Sequence, residues 1–234
     1  LRDGLTALLR ALLDEAPQVP WVRLLYAYPQ HVTPELIALM ASAPQMCHYL
    51  DLPLQHGHPD VLRRMRRPHD VQQVYELVAA LRAAMPDIAL RSTFIVGYPG
   101  ETEAEFEGLL ELLRAIHFDK VGVFGYSAED GTAAALLPGR VAPEVIAERH
   151  ERAMLLQQEI SLERNRAQVG RILRVLVDGA GDGLSVGRSY RDAPEIDGMV
   201  LLPGEYPVGA FVTARITAGR EYDLEGEVVA APAS

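Results

Sequence analysis

Residues 88–102 read IALRSTFIVGYPGET, and this stretch decides the fold class of the 234-residue chain. Residues 88–96 form an apolar run rich in β-branched side chains, which is typical of a strand buried on both faces. A turn with two glycines ends the run at residues 97–100. Thr102 and Glu105 then have the spacing of a capping box, which predicts the start of a helix. A strand, a tight turn and a helix in this order are one unit of a parallel α/β sheet.

Three similar units surround this stretch. Further apolar runs predict strands at 21–26, 49–52 and 121–124. Apolar residues at helical spacing predict helices at 5–13, 33–40, 61–65 and 70–85. A closed barrel of eight such units needs about 250 residues. We therefore expect a partial TIM-like barrel, or an open α/β sheet, with parallel strands.

The pattern changes in the second half of the chain. Pro143 begins a long polar helix with a thin apolar stripe, which we expect to reach about residue 167. Short β-like runs follow between glycine and proline turns, at 172–177, 199–202, 211–216 and 227–229. Such runs predict a small antiparallel β-barrel. We expect three parts, namely an α/β part at 1–136, a linking helix at 137–169 and a barrel at 170–234.

Composition and charge narrow the classes of function. The net charge of −10 disfavours general attraction to nucleic acid and favours a basic partner. No apolar run approaches the roughly 20 residues that span a bilayer. We expect no membrane association and no signal peptide. The chain begins at Leu1 rather than Met, which indicates a start inside a longer protein.

Cys47 is the only cysteine. Disulfides within the chain are therefore impossible, and a reducing cytoplasm is expected. We expect Cys47 to be buried just ahead of the strand at 49–52.

The glycine turn is the first candidate site. In a parallel sheet, ligands bind beyond the carboxyl ends of the strands. Gly97 and Gly100 would allow a flat ligand to approach the backbone, or would allow positive φ angles. A turn shaped only for folding needs the same residues, so both interpretations stay open.

Two polar groups lie nearby in the sequence. Gln55, His56 and His58 follow the strand at 49–52 and should reach the same edge of the sheet. Nothing completes a metal site with them, and we expect no metal there. The arginines at 63, 64, 66 and 67, with His69, form either a solvated helix face or a grip for an anion or an acidic partner.

Four segments, in this order and spacing, resemble the radical-SAM methylthiotransferase family. They are YLDLPLQH at 49–56, VLRRMRR at 61–67, FIVGYPGET at 94–102 and VGVFGYS at 121–127. Residues 171–229 resemble the terminal TRAM domain of that family, which is a small β-barrel. Residues 187–198, GRSYRDAPEIDG, are similar to the branch that modifies the twelfth protein of the small ribosomal subunit.

The resemblance implies a reaction. An iron–sulfur cluster reduces S-adenosylmethionine to a 5′-deoxyadenosyl radical, which abstracts a hydrogen from an aspartate β-carbon. A methylated sulfur held at a second cluster is then joined to that carbon. The full-length enzyme would thus use S-adenosylmethionine, two 4Fe-4S clusters and an electron donor, and it would act in the cytoplasm on a basic small-subunit ribosomal protein. Protein groups would mainly position the cofactors and exclude water.

The resemblance also implies cofactor-binding residues, although no catalytic residue. Gly97, Gly100 and Glu101 in the turn would border the adenosyl group. Thr93 and Ile95 would lie on the strand beneath it.

Three more residues complete the implied set. Val123 would contribute from the neighbouring strand, Gln55 would face the cluster side, and Arg66 would hold a carboxylate.

The cluster motif of the family is missing. The family's CxxxCxxC motif, and the three further cysteines of a separate N-terminal domain, both precede the first strand seen here. Each cluster needs cysteine thiolates, which Cys47 alone cannot supply. We expect the chain by itself to hold no cluster and to be inactive.

Two alternative functions remain. The sister branch that methylthiolates adenosine in transfer RNA shares the catalytic motifs. A non-catalytic RNA-binding TRAM module on an α/β scaffold belongs to a different class. From residue 171 onward the chain has six arginines, no lysine and ten acidic residues, a net charge of −4. RNA binding relies on cationic side chains, so we expect no direct RNA binding and a basic ribosomal protein bound through this acidic barrel.

Overall fold

The computed structural model describes residues 4–230. Its first half contains a four-stranded parallel sheet whose strand order follows the chain. The strands are β1 (Val22–Leu24), β2 (Met46–Asp51), β3 (Ala89–Val96) and β4 (Lys120–Gly125). The predicted partial barrel with parallel strands is confirmed.

Six α-helices accompany the strands within the described residues. They are α1 (Gly4–Glu15), α2 (Pro34–Ser42), α3 (Pro59–Arg64), α4 (Val71–Ala84), α5 (Glu103–Ile116) and α6 (Pro143–Arg166), and short 3₁₀ turns lie at Pro29–His31 and Ala134–Leu136. The predicted capping box at Thr102 and Glu105 is present at the start of α5. Among the described helices, none has both the length and the apolar character that a bilayer crossing requires.

The helices cover only one face of the sheet. Leu50, Leu90 and Phe94 point to this face and pack with Phe106 and Leu109 of α5. The side chains between them point to the opposite face, which we call the inner face, since side chains alternate along a strand. Cys47 lies on that inner face and is buried. It is the second residue of β2 and does not precede the strand, because β2 begins three residues earlier than predicted.

The second half forms a closed five-stranded barrel with the order β5-β6-β7-β9-β8. Its strands are β5 (Ile172–Gly181), β6 (Leu184–Arg188), β7 (Val200–Pro203), β8 (Phe211–Gly219) and β9 (Leu224–Ala230). The barrel is not purely antiparallel as predicted, because β7 and β9 run parallel where they close it. Strand β6 was missed, since it is short and includes Gly187.

Residues 189–197, between β6 and β7, insert against the inner face of the sheet, and we call them the plug segment. Ala193 packs with Cys47, Tyr49 and Ala89. The Tyr49 hydroxyl donates a hydrogen bond to Asp197 over 2.7 Å. The stretch that resembles the ribosomal-protein branch therefore joins the barrel to the sheet.

Buried ion pairs hold the plug segment in place. The guanidinium of Arg191 lies 2.6 Å from the carboxylate of Asp119, just ahead of β4, and both side chains are buried. Arg164 near the end of α6 contacts the same carboxylate at 3.0 Å. Lys120 pairs with Asp192 at 3.1 Å. Burial by itself would raise the pKa of Asp119, but the two guanidinium groups hold it below its usual range.

We expect Arg191→Met to lower the free energy of unfolding by about 3 kcal/mol, because it leaves a buried carboxylate with one cation fewer. Arg188→Met is the control, since Arg188 pairs with Asp178 at the surface of the barrel. Such pairs contribute about 1 kcal/mol or less. Urea unfolding at neutral pH measures both variants. Equal losses would contradict an anchoring role for the plug segment.

Candidate functional site

The turn at residues 97–100 lies at the carboxyl end of β3, as predicted. Gly97 and Gly100 have φ angles of +75° and +78°. Residues with a Cβ avoid this left-handed region. The backbone conformation alone therefore accounts for part of the requirement for glycine.

The surroundings of the two glycines differ. A Cβ at Gly97 would overlap the side chain of Ile146 in α6, so protein packing fills that direction. A Cβ at Gly100 would meet no atom closer than Arg64 Nε at 3.8 Å. The Gly100 amide donates to the carbonyl of Gly139 over 2.7 Å, which ties the turn to the loop after β4. The folding interpretation thus accounts for Gly97. At Gly100 a Cβ would reach only ordinary contact with Arg64 and with the Pro138 carbonyl at 4.0 Å, and the residue itself is exposed.

Glu101 lies beneath the turn and shapes it. Its side chain is fully buried. Oε2 accepts hydrogen bonds from the backbone amides of Gly97, at 3.0 Å, and of Tyr98, at 3.3 Å. Oε1 accepts one from Arg149 of α6 at 2.9 Å. The carboxylate is therefore occupied by donors from the protein and holds the turn in shape.

His56, in the loop after β2, lies next to this carboxylate. Its Nδ1 accepts a hydrogen bond from the amide of His58 over 3.0 Å. Nδ1 is therefore unprotonated, and the ring proton belongs on Nε2. Nε2 lies 3.4 Å from Glu101 Oε2, and both side chains are fully buried.

One group of possible metal ligands occurs among the described residues. Atoms of His58, Asp60 and Glu105 lie within 4.8 Å of one another. Glu105, however, already accepts two hydrogen bonds from Arg64, at 2.8 and 3.0 Å, and one from the amide of Thr102. We therefore propose no metal site there.

Thr93 and Ile95 lie on the inner face of β3, opposite the helices, and both are half-buried. Gln55 lies beside them and extends the pairing of β2 with β3. Its amide donates to the carbonyl of Thr93, and its own carbonyl accepts from the amide of Ile95, both over 2.8 Å. Gln55 has a φ angle of +73°, which is uncommon for a residue with a side chain. The structure thus brings these three sequence-predicted residues together.

Val123 lies on the neighbouring strand, as expected, although its side chain points elsewhere. It pairs in register with Phe94, and paired residues of parallel strands share a face. Val123 is accordingly buried in the helix-facing core. The residues of β4 on the same face as Thr93 are Lys120, Gly122 and Phe124, and Phe124 is 57% exposed. Phe124 was missed because the register between strands is not visible in a single run of sequence.

The arginines after β2 do not form one shared anion site. Arg63 pairs with Asp60, Arg64 pairs with Glu105, and Arg67 lies 5.8 Å from the centre of the Tyr28 ring. Arg66 is exposed and has a φ angle of +54°. The described residues give Arg66 no ion pair.

Two residues of α6 that contact the turn were missed by sequence reasoning. Ile146 had a weak signal, because it belongs to the apolar stripe of the helix. Arg149 had none, since a charged residue in a polar helix is usually solvated. Its place against Glu101 follows from how α6 packs on the sheet.

The pH dependence of stability tests the contacts of Glu105, which hold the start of α5 directly after the turn. The hydrogen bonds from Arg64, with the amide of Thr102, lower the pKa of Glu105 to about 2. A depressed pKa in the folded state stabilises the protein above the ordinary value and less so as the pH falls towards 2. We expect Glu105→Gln to be less stable at pH 6 and to lose less stability than the parent between pH 5 and pH 3. Urea unfolding across this range measures the difference, and parallel curves would contradict the assignment.

Two family models match the chain. A radical SAM superfamily model matches residues 1–113, and a TRAM domain model matches residues 169–229. The solved structure of coproporphyrinogen III oxidase (HemN) from Escherichia coli, described as a radical SAM enzyme, aligns with a TM-score of 0.55 at 16% identity. The alignment covers 68% of this chain and 38% of that one, and it supports the fold alone.

Curated relatives match along nearly the whole chain. The ribosomal protein uS12 methylthiotransferase RimO of Roseiflexus sp. (strain RS-1) is 57% identical over 100% of this chain and 50% of its own length. The protein of the same name from Chloroflexus aurantiacus is 55% identical over 98% of this chain and 51% of its length. The chain therefore spans about half the length of the curated relatives that it matches. With its radical SAM and TRAM domains, the chain belongs to the radical-SAM methylthiotransferase family.

Proposed function

We propose that this chain is part of an enzyme that adds a methylthio group to the β-carbon of an aspartate in a small-subunit ribosomal protein. The identity of 57% over the whole chain to a relative named as a uS12 methylthiotransferase carries this proposal. The chain would supply the surface that binds S-adenosylmethionine, together with the TRAM barrel. The enzyme would work in the cytoplasm, where ribosomal proteins are found.

The residues at the carboxyl edge of the sheet fit the nucleoside part of S-adenosylmethionine. Gly100 is exposed and has no side chain, so a flat group could approach its backbone. The side chains of Thr93 and Ile95 on the inner face would border the ligand from below. When bound at this edge, S-adenosylmethionine supplies the group that abstracts hydrogen. The chain's own residues hold the turn in shape and exclude water.

The residues of this chain do not fit an iron–sulfur cluster. Cys47 is 2% exposed and packs against the plug segment. Burial raises the pKa of its thiol, which opposes the thiolate that a cluster needs. We assign the two 4Fe-4S clusters, and the contact with an electron donor, to residues of the longer enzyme outside this chain.

The charge of the barrel favours a basic protein over RNA. Arg191, Asp192 and Asp197 are buried in the plug segment. The remaining charges of the barrel are five arginines against eight acidic residues. This acidic surface disfavours RNA phosphates and suits a positively charged loop of a ribosomal protein.

The barrel acts at a distance from the glycine turn. Ile146 of α6 contacts Gly97 after β3, whereas Arg164 contacts Asp119 ahead of β4. Eighteen residues of helix separate the two contacts, a length of about 27 Å. We propose that the barrel recruits the ribosomal protein from the amino-terminal side of the sheet, while the modified aspartate enters at the carboxyl edge.

The deciding experiment gives the full-length enzyme each candidate acceptor and follows the product by mass spectrometry. We expect the ribosomal protein to gain the mass of a methylthio group and transfer RNA to gain none. Modified transfer RNA with an unchanged ribosomal protein would transfer the assignment to the sister branch.

Gly100→Ala in the full-length enzyme tests the cofactor surface. A Cβ here strains the backbone by about 1 kcal/mol and adds bulk to the exposed turn that the ligand is proposed to approach. We expect a clear loss of affinity for S-adenosylmethionine in titration calorimetry. Gly209→Ala is the control, because Gly209 has a similar φ of +84° and open space around it in the barrel. Unchanged affinity in Gly100→Ala would leave the turn with a folding role only.

A further inference from the structure

We propose that Arg149 of α6 is a positioning residue for the nucleoside of S-adenosylmethionine, acting through the buried carboxylate of Glu101. The inference rests on the proposed function. It assigns a role in cofactor binding to a helix whose sequence carries no cofactor motif.

The guanidinium of Arg149 bridges the end of the turn and the start of α5. Its Nη1 donates to the carbonyl of Glu101 at 3.1 Å and to the Oε1 of the same residue at 2.9 Å. Its Nη2 donates to Glu103 at 3.3 Å. The side chain of Arg149 is 6% exposed and that of Glu101 is fully buried, so the contact between them is shielded from water. Buried charge-assisted hydrogen bonds of this kind fix geometry strongly.

Glu101 carries this constraint to the turn. While Arg149 holds Oε1, Oε2 accepts from the amides of Gly97 and Tyr98. Without the guanidinium, a buried carboxylate has lost its closest cation and becomes costly to keep in place. It would then turn towards water, and this change weakens its hold on the two amides. Reordering the turn would subtract from the binding free energy of the ligand.

The same helix supports the turn a second time. Ile146 lies one helical turn before Arg149, and its side chain fills the space beside Gly97 and Gly125. The apolar contact of Ile146 and the ion pair of Arg149 therefore come from successive turns of α6, and both stabilise the glycine turn. Because α6 also grips Asp119 through Arg164, its position along the sheet is fixed at both ends.

Arg152 provides a matched control on the same helix. It lies about one turn further along and approaches the same Phe106 ring, at 4.8 Å against 5.5 Å for Arg149. It pairs with Glu103 at 2.6 Å and also with Glu107, but the described contacts do not join it to Glu101. Arg152→Met therefore removes the same charge from the same helix without touching the support of the turn.

The experiment measures the binding of S-adenosylmethionine and of S-adenosylhomocysteine to the full-length enzyme by calorimetry. Parallel thermal unfolding shows that each variant is folded. We expect Arg149→Met to weaken both ligands about tenfold, the equivalent of one hydrogen bond to a charged group. Arg149→Lys should recover part of the affinity, because it keeps a cation beside Glu101. Arg152→Met should bind as the parent does.

Two results would overturn the inference. One is a folded Arg149→Met variant with the affinity of the parent, and the other is an equal loss in Arg149→Met and Arg152→Met. If Arg149→Met does not fold, Arg149→Gln decides, because it keeps a hydrogen-bond donor but no cation beside Glu101. Parental affinity for both ligands in that variant, combined with lower stability, would indicate a structural role only. A parent enzyme that fails to bind S-adenosylmethionine would instead refute the proposed function.

Discussion

A parallel sheet must be covered on both faces, and the helices that the structure describes cover only one. The amino-terminal half of the inner face is closed by the plug segment of the TRAM barrel, whose Ala193 packs on Cys47 and Tyr49. The carboxyl end keeps the half-buried Thr93 and Ile95. The two halves of this face are therefore covered differently, and the cofactor is proposed to bind at the half that stays partly exposed.

Two buried carboxylates hold this arrangement, one at each end of α6. Asp119 forms ion pairs with Arg191 of the plug segment and Arg164 of the helix, and so fixes the barrel to the sheet. Glu101 accepts hydrogen bonds from Arg149 of the helix and from two backbone amides of the turn. Buried carboxylates need such cations, so both contacts constrain where the helix lies. The helix therefore connects the domain proposed to recruit the substrate with the turn proposed to bind the cofactor.

The structure gives the plug segment a role in packing the two domains together. Residues 187–198 resemble the branch that modifies a ribosomal protein, yet Arg191 and Asp192 are buried against the sheet. The packing of the barrel on the sheet therefore explains why an arginine and an aspartate occur at these positions. The recruitment of a basic partner then depends on the exposed charges of the barrel, which remain acidic once the buried charges are set aside.

Sequence by itself determined the local structure and the family. Apolar runs gave the four parallel strands, the capping box placed the start of α5, and the glycine turn marked the carboxyl edge of β3. These features depend on neighbours within a few residues, so a single chain displays them. The prediction from sequence missed β6 and began β2 three residues too late. It also expected a purely antiparallel barrel, although β7 and β9 pair in parallel.

Only the tertiary structure decided which side chains meet. The register between β3 and β4 turned Val123 into the core and brought Phe124 to the inner face of the sheet. The packing of α6 placed Arg149 on Glu101, 48 residues apart, and the fold of the barrel carried Arg191 to Asp119, 72 residues apart. Contacts over such separations follow from how whole elements pack, and no local pattern in the sequence encodes them.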